Sequence, residues 1–334
     1  MKIKKNCFGR AIVILIMLLL VILSAQTMVG ARTLVKVASD VTKEHSVGKG
    51  FEYFKERVEE LTNGELEVRL YHAGALAAGN RELIEGTQTG QIEIAVATAA
   101  SMANFTPEFD LFGLPFLIKD YEHMKKVAEL KELRDVLDKA SENIGLVLLG
   151  MSTGGMRQIY SKVPIETVDD LKGLKIRVME VDGIIATFKA LGAIPVPMAF
   201  TELYSALQTG VVDAGESSFV TWINSKLIEV APYGSRVNYM ETGRVYIANK
   251  IFFEKLSEEH QEAIKKAMIE AIDIINEDYI VQDYAAEDTS ALYPNAKVLH
   301  PDTDKFFDAV QVVYEEFKPT LGFEMVEKIR NLGK

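Results

Sequence analysis

"KGFEYFKERVEELTNGELEVRLY" (49–71) carries the pattern from which the architecture can be built. Phe51, Phe54, Val58 and Leu61 recur at helical spacing, so the first part predicts an amphipathic helix. Asn63-Gly64 ends it, since both residues tolerate the left-handed conformation. "ELEVRLY" (65–71) then alternates as a strand does. Before the helix, "TLVKVASD" (33–40) has strand character and leads into a turn. Strand, helix and strand in that order make a β-α-β unit, the signature of an α/β protein with a parallel sheet.

The chain has 334 residues, enough for two compact domains or one large one. Its N-terminus differs from the rest. Lys2, Lys4, Lys5 and Arg10 precede an apolar run from Ala11 to Leu23, shorter than the ~20 residues that span a bilayer. Small residues follow, ending Val29-Gly30-Ala31. Residues 1–31 read as a secretory signal peptide cleaved near Ala31, with an uncleaved anchor as the alternative. Cys7, the only cysteine, precedes the apolar run, which argues against lipid anchoring and leaves the mature chain without thiol chemistry. Cleavage removes four of 37 basic residues and none of the 48 acidic ones, so the mature charge is 33 minus 48, or −15. So acidic a surface argues against nucleic acid and anionic membrane as partners. Any anion site must be built locally, from pointed cations and backbone N–H groups.

Further along, a helix is expected over about 81–89, then a strand "QIEIAVA" (91–97). Much later come the helix "TELYSALQT" (201–209), Gly210 and the strand "VVDAG" (211–215). "QTGQIEIA" and "QTGVVDAG" echo each other: either two similarly wound domains or the common use of glycine to end a helix before a strand. "DLFGLPFLI" (110–118) reads as a buried crossing segment broken by Pro115, and 120–140 as one surface helix. "IGLVLLGMS" (144–152) is a strand candidate buried on both faces, and "AIPVPM" (193–198), with two prolines, an edge strand or a strand end. Ser257 followed by Glu258 and Glu259 starts a helix of roughly thirty residues, long enough to touch both domains.

The five histidines are too scattered to share a helix face, and no phosphate-loop or nucleophile-elbow motif is present. No catalytic constellation, metal set or cofactor motif emerges. Two arginines stand out. Arg177 lies inside the strand of "GLKIRV" (173–178), and Arg157 lies in "STGGMRQIYS" (152–161), just after an apolar strand. Arginine cannot lose its charge, so burying it requires an anionic partner. That partner is either an aspartate or glutamate of the protein or a ligand carboxylate, which the guanidinium fork matches with two parallel bonds. Strand ends are where α/β sheets bind ligands. Phe200, before the helix start at Thr201, and "GESSFVTW" (215–222), with Ser217 and the only tryptophan, Trp222, have the mixed character of a pocket wall.

On these segments the chain resembles the extracytoplasmic solute-binding proteins of tripartite ATP-independent periplasmic (TRAP) transporters. The motifs are "DLKGLKIRV" (170–178), "ALGAIPVPMAFTELYSALQTGVVDAGE" (190–216), "LTNGELEVRLYHAGAL" (61–76) and "PEFDLFGLPFLIKDYEH" (107–123). The resemblance implies two α/β domains with parallel or mixed sheets closing like a flytrap, braced by a long helix. It implies domain I at 32–154 and 243–282, and domain II at 155–242 and 283–334. It places the ligand carboxylate on Arg177, with Arg157 as a second arginine and Phe200 on the cleft wall. Glu216 and Ser217 fall in the segment that corresponds to the family's "V-D-G-x-E-N", with Ser217 where the family often has asparagine. Thr98, with Ser101 near it, is the expected contribution of the first domain. The implied function is that of a periplasmic, monomeric carrier without catalysis or cofactor, which binds a small organic acid (a sugar acid, dicarboxylate or keto acid) and delivers it to the small and large membrane subunits of an ion-coupled permease. A sensor subunit that binds the same ligand, and a secreted enzyme acting on an acidic substrate, are the competing readings.

Overall fold

A computed structural model describes residues 32–289 and 293–334. The signal segment, with Cys7, lies outside the described residues. Strand β1 (Thr33–Ala38), helix α1 (Ser46–Leu61) and strand β2 (Leu66–Tyr71) form the β-α-β unit, with β1 and β2 parallel and in register from Thr33–Leu66 to Ala38–Tyr71. Asn63 and Gly64 take φ of 50° and 75° and turn the chain between helix and strand. Phe51, Phe54 and Val58 form the fully buried face of α1.

The chain continues through α2 (Asn80–Gln88), β3 (Ile94–Thr98) and α3 (Ala99–Met102). Next come α4 (Tyr121–Ala128), α5 (Lys131–Asn143) and β4 (Leu146–Ser152). The surface helix expected over 120–140 is thus two helices. Leu130 takes extended backbone between them and packs against the core, which breaks the helical hydrogen-bond ladder. The segment 110–118 is buried as expected at Leu111, Phe112, Leu114 and Leu117.

The second half contains β5 (Met156–Ser161), β6 (Lys175–Val178), α6 (Asp182–Ala190), β7 (Ile194–Pro197) and α7 (Leu203–Thr209). Then follow β8 (Ala214–Ser218), α8 (Phe219–Asn224), β9 (Tyr233–Glu241), β10 (Arg244–Asn249) and α9 (Lys250–Lys255). The long helix α10 (Glu258–Ala285), strand β11 (Lys297–Leu299) and helices α11 (Thr303–Ala309), α12 (Gln311–Glu316) and α13 (Gly322–Leu332) complete the chain. The strand expected at 211–215 begins three residues later. Gly210 at φ 81° still belongs to the turn and Val211 is exposed, so "AGESS" rather than "VVDAG" enters the sheet.

Two sheets result, in the orders β2-β1-β3-β10-β4 and β7-β6-β8-β5-β9-β11. In each, one strand pairs in parallel with two neighbours (β1 with β2 and β3, β6 with β7 and β8). In each, an antiparallel strand then joins the run (β10 between β3 and β4, β5 between β8 and β9). The echo between "QTGQIEIA" and "QTGVVDAG" therefore marks the same place in two similarly wound lobes. The double-proline strand β7 is an edge strand, where a missing N–H is tolerated.

The chain crosses between the sheets at 153–155, at 242–243 and again after α10. Glu241 ties the first two crossings together. Its carboxylate accepts from the Thr153 hydroxyl at 2.6 Å and from the Gly154 and Gly243 N–H groups at 2.8 and 3.0 Å. Ser257 caps α10 by accepting from His260 N–H at 3.2 Å. That helix packs on α1 and β4 of the first lobe and on α8 of the second. The reading of 283–334 as wholly second-lobe needs one correction, because α13 packs on α4 and the His123 ring meets the Ile329 carbonyl at 2.7 Å. No helix among the described residues is long and apolar enough to cross a membrane.

Candidate functional site

The ends of the central strands of both sheets face one cleft. From the second lobe, β6 contributes Arg177, β5 Arg157 and β8 Ser217. The backbone after β7 adds Phe200. From the first lobe come Asp40 after β1, Thr98 at the end of β3, Asn80 at the start of α2 and Arg244 at the start of β10.

Arg157 and Arg177 are both buried, at 5 % and 2 % exposure, but their surroundings differ. Arg157 is engaged by the protein itself. Its Nε and Nη2 both meet the Glu216 carboxylate, and Nη2 also donates to the Glu216 carbonyl at 2.9 Å. Glu216 is fully committed: it also accepts from the Tyr239 hydroxyl at 2.6 Å and from Met179 N–H at 3.2 Å. Arg177 has no such partner. Its Nε and Nη2 donate to the Met198 carbonyl at 3.1 and 2.9 Å, and Nη1 lies 3.9 Å from Glu216 Oε1. Its guanidinium sits 5.7 Å from the centre of the Phe200 ring.

The pKa shifts express this difference. Burial pulls both guanidinium groups down. For Arg157 the adjacent Glu216 and the Tyr239 oxygen outweigh burial and leave the group above its ordinary value. For Arg177 burial wins over Glu216 and Tyr160, and the group falls below its ordinary value. Two arginines share one glutamate, and Arg177 is the one left short of negative charge.

On the first-lobe wall, Thr98 caps α3 by accepting from Ser101 N–H, and its hydroxyl donates to Ser101 Oγ at 2.8 Å. Arg244 is buried, with Nε donating to the Tyr279 hydroxyl at 3.3 Å. Tyr279 also meets His45 Nε2 at 3.1 Å, and the same nitrogen meets Thr221 Oγ1 of the second lobe at 3.2 Å. Burial, and then Arg244 and Lys49, hold His45 well below the usual histidine range.

The lobes touch along the cleft. Thr201 Oγ1 donates to the Ala78 carbonyl at 3.0 Å, and Asn104 Nδ2 donates to the Glu180 carbonyl at 2.6 Å. At the junction of the two lobes a Cβ on Gly183 would stand 2.4 Å from the Gly113 carbonyl oxygen. The space left beside the arginines is about 30 Å³, room for one or two waters. A larger hollow, about 640 Å³, lies between α4, β4 and α10. Its charged lining is mainly acidic (Glu122, Glu129, Asp273 and Glu277 against Lys125 and Arg134), so it does not suit an anion.

The structure brings Arg177, Arg157, Phe200, Ser217 and Thr98 to one cavity. Two expected residues stand behind its wall. Glu216 is fully buried beneath the arginines. Trp222 is fully buried, donates Nε1–H to the Ala231 carbonyl at 2.9 Å and stacks on Tyr160. Trp222 is therefore core and not cleft wall, because α8 turns its ring onto Tyr160 and Phe219. Of the partners the sequence leaves open, Arg157 has an internal glutamate at hydrogen-bond distance, whereas the same glutamate stands 3.9 Å from Arg177 Nη1. Sequence reading missed Arg244 and Asp40. "GRVYIAN" (243–249) carries an arginine at the head of an apolar strand, the same signal that exposed Arg177.

Comparison with known proteins agrees with this architecture. Residues 37–320 match the family described as bacterial extracellular solute-binding protein, family 7. The C4-dicarboxylate-binding periplasmic protein DctP of Rhodobacter capsulatus is 34 % identical over 246 residues, 72 % of each chain. The sugar acid binding protein DctPAm of Advenella mimigardefordensis, solved with galactonate, superimposes with a TM-score of 0.85 at 30 % identity, covering 90 % of this chain and 97 % of the other. A TRAP periplasmic solute binding protein of Sulfurospirillum deleyianum, solved with succinate, does so at 0.85 and 29 % identity, covering 90 % and 99 %. The chain belongs to the family 7 extracellular solute-binding proteins, the solute-binding component of TRAP transporters.

Proposed function

We propose that this protein captures a small organic acid between its lobes, with Arg177 receiving the carboxylate, and hands it to a membrane permease. The observation that supports the reading is the unequal pairing of two buried arginines with one glutamate. Arg157 and Glu216 form an internal pair. Arg177 is held in place by the Met198 carbonyl and Phe200 and keeps Nη1 and part of Nη2 for an incoming oxyanion. Arg157 then acts mainly by fixing Glu216, while Ser217, Thr98 and Phe200 complete the wall. Such a contact strengthens as water leaves the closing cleft.

Delivery follows from two-lobe closure: a ligand that bridges both walls favours the closed form, whose joined surface a permease reads. The proposed lobes are 32–154 with 243–282, and 155–242 with 283–334 except that α13 lies on the first lobe. A role outside catalysis fits the relatives, which are named as binding proteins. Export fits them too, since the Rhodobacter capsulatus relative is named as periplasmic.

The test is a thermal-shift screen of the purified mature protein against organic acids. A binding acid at 100 times its Kd adds about 2.7 kcal/mol of stability. A screen in which neutral sugars and amines stabilise the protein and no acid does so removes the carboxylate reading. Turnover of a bound acid would favour the enzyme reading instead.

A further inference from the structure

The first-lobe wall carries an arginine that the carboxylate clamp does not use. Arg244 pairs across from Thr98, the last residue of β3, just as Arg157 pairs across from Ser218, the last residue of β8. Thr98 and Ser218 each cap the following helix through the side-chain oxygen. The two arginines therefore hold matching places in the repeated winding. Two residues before Ser218 stands Glu216, the partner of Arg157. Two residues before Thr98 stands Val96, which is fully buried and apolar. Arg244 so has no glutamate at the matching position; Tyr279 is the hydrogen-bond partner of its Nε, and the negative charge acting on it is that of Asp40.

Asp40 lines the same cavity. It is 6 % exposed, and its Oδ1 is buried with no hydrogen-bond partner. A buried acceptor left unmade is costly, so a donor is needed there when the cleft is filled. Burial raises the Asp40 pKa, and Arg244, Arg177 and Arg157 oppose that rise. Asn80 lies beside it with its side-chain oxygen already taken by Thr98 N–H at 2.8 Å, which leaves the amide hydrogens as donors.

We infer that Asp40 and Arg244 form a hydroxyl-reading subsite, so that the ligand is a hydroxylated monocarboxylate rather than a dicarboxylate. This rests on the carboxylate clamp at Arg177 proposed above. The reason is complementarity. Asp40 offers only acceptors when ionised and Arg244 only donors, so a ligand end that satisfies both must donate and accept. A hydroxyl does both. A second carboxylate only accepts: it suits Arg244 but leaves Asp40 Oδ1 unpaired and sets two negative charges in one small space. Specificity of this kind comes as much from rejecting the wrong group as from binding the right one.

The test is calorimetric titration of wild type, Asp40→Asn, Asp40→Ser and Arg177→Met with three sugar acids (D-galactonate, D-galacturonate and D-erythronate) and with succinate. Ligand-free melting temperatures are measured on each to show that the variants are folded. The wild type should bind at least one sugar acid more tightly than succinate. Asp40→Asn and Asp40→Ser should weaken that sugar acid about tenfold or more and leave succinate unchanged or tighter. A wild type that binds succinate at least as tightly, or none of the four, overturns the inference. So do Asp40 variants that weaken all acids equally or none. Unchanged sugar-acid affinity in Arg177→Met, with discrimination lost in the Asp40 variants, refutes the clamp and leaves the hydroxyl subsite standing.

Discussion

Replacing Arg177 by methionine separates a ligand-holding arginine from a structural one. Methionine keeps an unbranched apolar stem of similar length, so the strand and the Phe200 contact suffer little. The ligand loses the bonds from Nη1 and from the free hydrogen of Nη2, since the other N–H groups serve the Met198 carbonyl. A hydrogen bond to a charged group contributes roughly 1.5–3 kcal/mol, so two such bonds set a loss of about 3 kcal/mol or more. That is roughly a hundredfold or more in Kd. The free protein behaves differently. It loses two bonds to one carbonyl but also sheds a buried cation that burial holds below its ordinary pKa. These effects oppose each other, and the net change in stability should stay within about 1 kcal/mol, or roughly 2–4 °C in Tm for a chain of this size. The assay is calorimetric titration with the tightest acid found, beside melting of the ligand-free protein. A Kd within threefold of wild type refutes the clamp. A loss of more than about 3 kcal/mol of stability, the scale of a broken buried pair, instead marks Arg177 as a partner of Glu216 that holds the fold.

Three further outcomes follow from the geometry. Gly183→Ala puts a Cβ 2.4 Å from the Gly113 carbonyl oxygen, so it should weaken ligand affinity several-fold by opposing closure, and small-angle scattering should show a larger radius for the ligand-bound variant; unchanged affinity would show that this contact plays no part in closure. His45 has a folded pKa below its unfolded value, so its contribution to stability is complete above about pH 6.5 and is lost as pH falls below that, by about 1.36 kcal/mol for every pH unit that separates the two values; raised carboxylates such as Asp40 and Glu241 act in the opposite sense, so the quantity to measure is the wild-type acid profile against His45→Gln, and identical slopes between pH 6.5 and 4.5 would contradict the assignment. Glu241→Gln should lower stability by about 1–3 kcal/mol in urea denaturation, because an amide nitrogen replaces one of the acceptors that join the two crossing segments; a variant as stable as wild type would show that the crossings do not depend on that carboxylate.

Much of the fold was legible wherever local chemistry is sufficient. Phe51, Phe54 and Val58 at helical spacing, the Asn63-Gly64 stop, the proline-bearing edge strand and the Ser257 cap all act within a few residues, and each is found where its pattern places it. The charge of Arg177 in an apolar strand was equally legible, because an unneutralised cation in a sheet demands an explanation wherever the strand goes. Partnership was not legible. Whether Glu216 would answer Arg157 or Arg177 depends on β8 entering the sheet three residues late and on β5 lying antiparallel beside it, and that register is set by packing between segments some sixty positions apart. Trp222 likewise became core through partners distant in sequence, the Tyr160 ring above all. Arg244 became a cleft residue only because β10 returns from the second lobe to insert between β3 and β4, a crossover that no local pattern encodes. Side-chain type is a property of one residue, whereas the neutralisation of a buried charge is a property of everything within a few ångströms of it, a neighbourhood that comes into being when distant segments pack together.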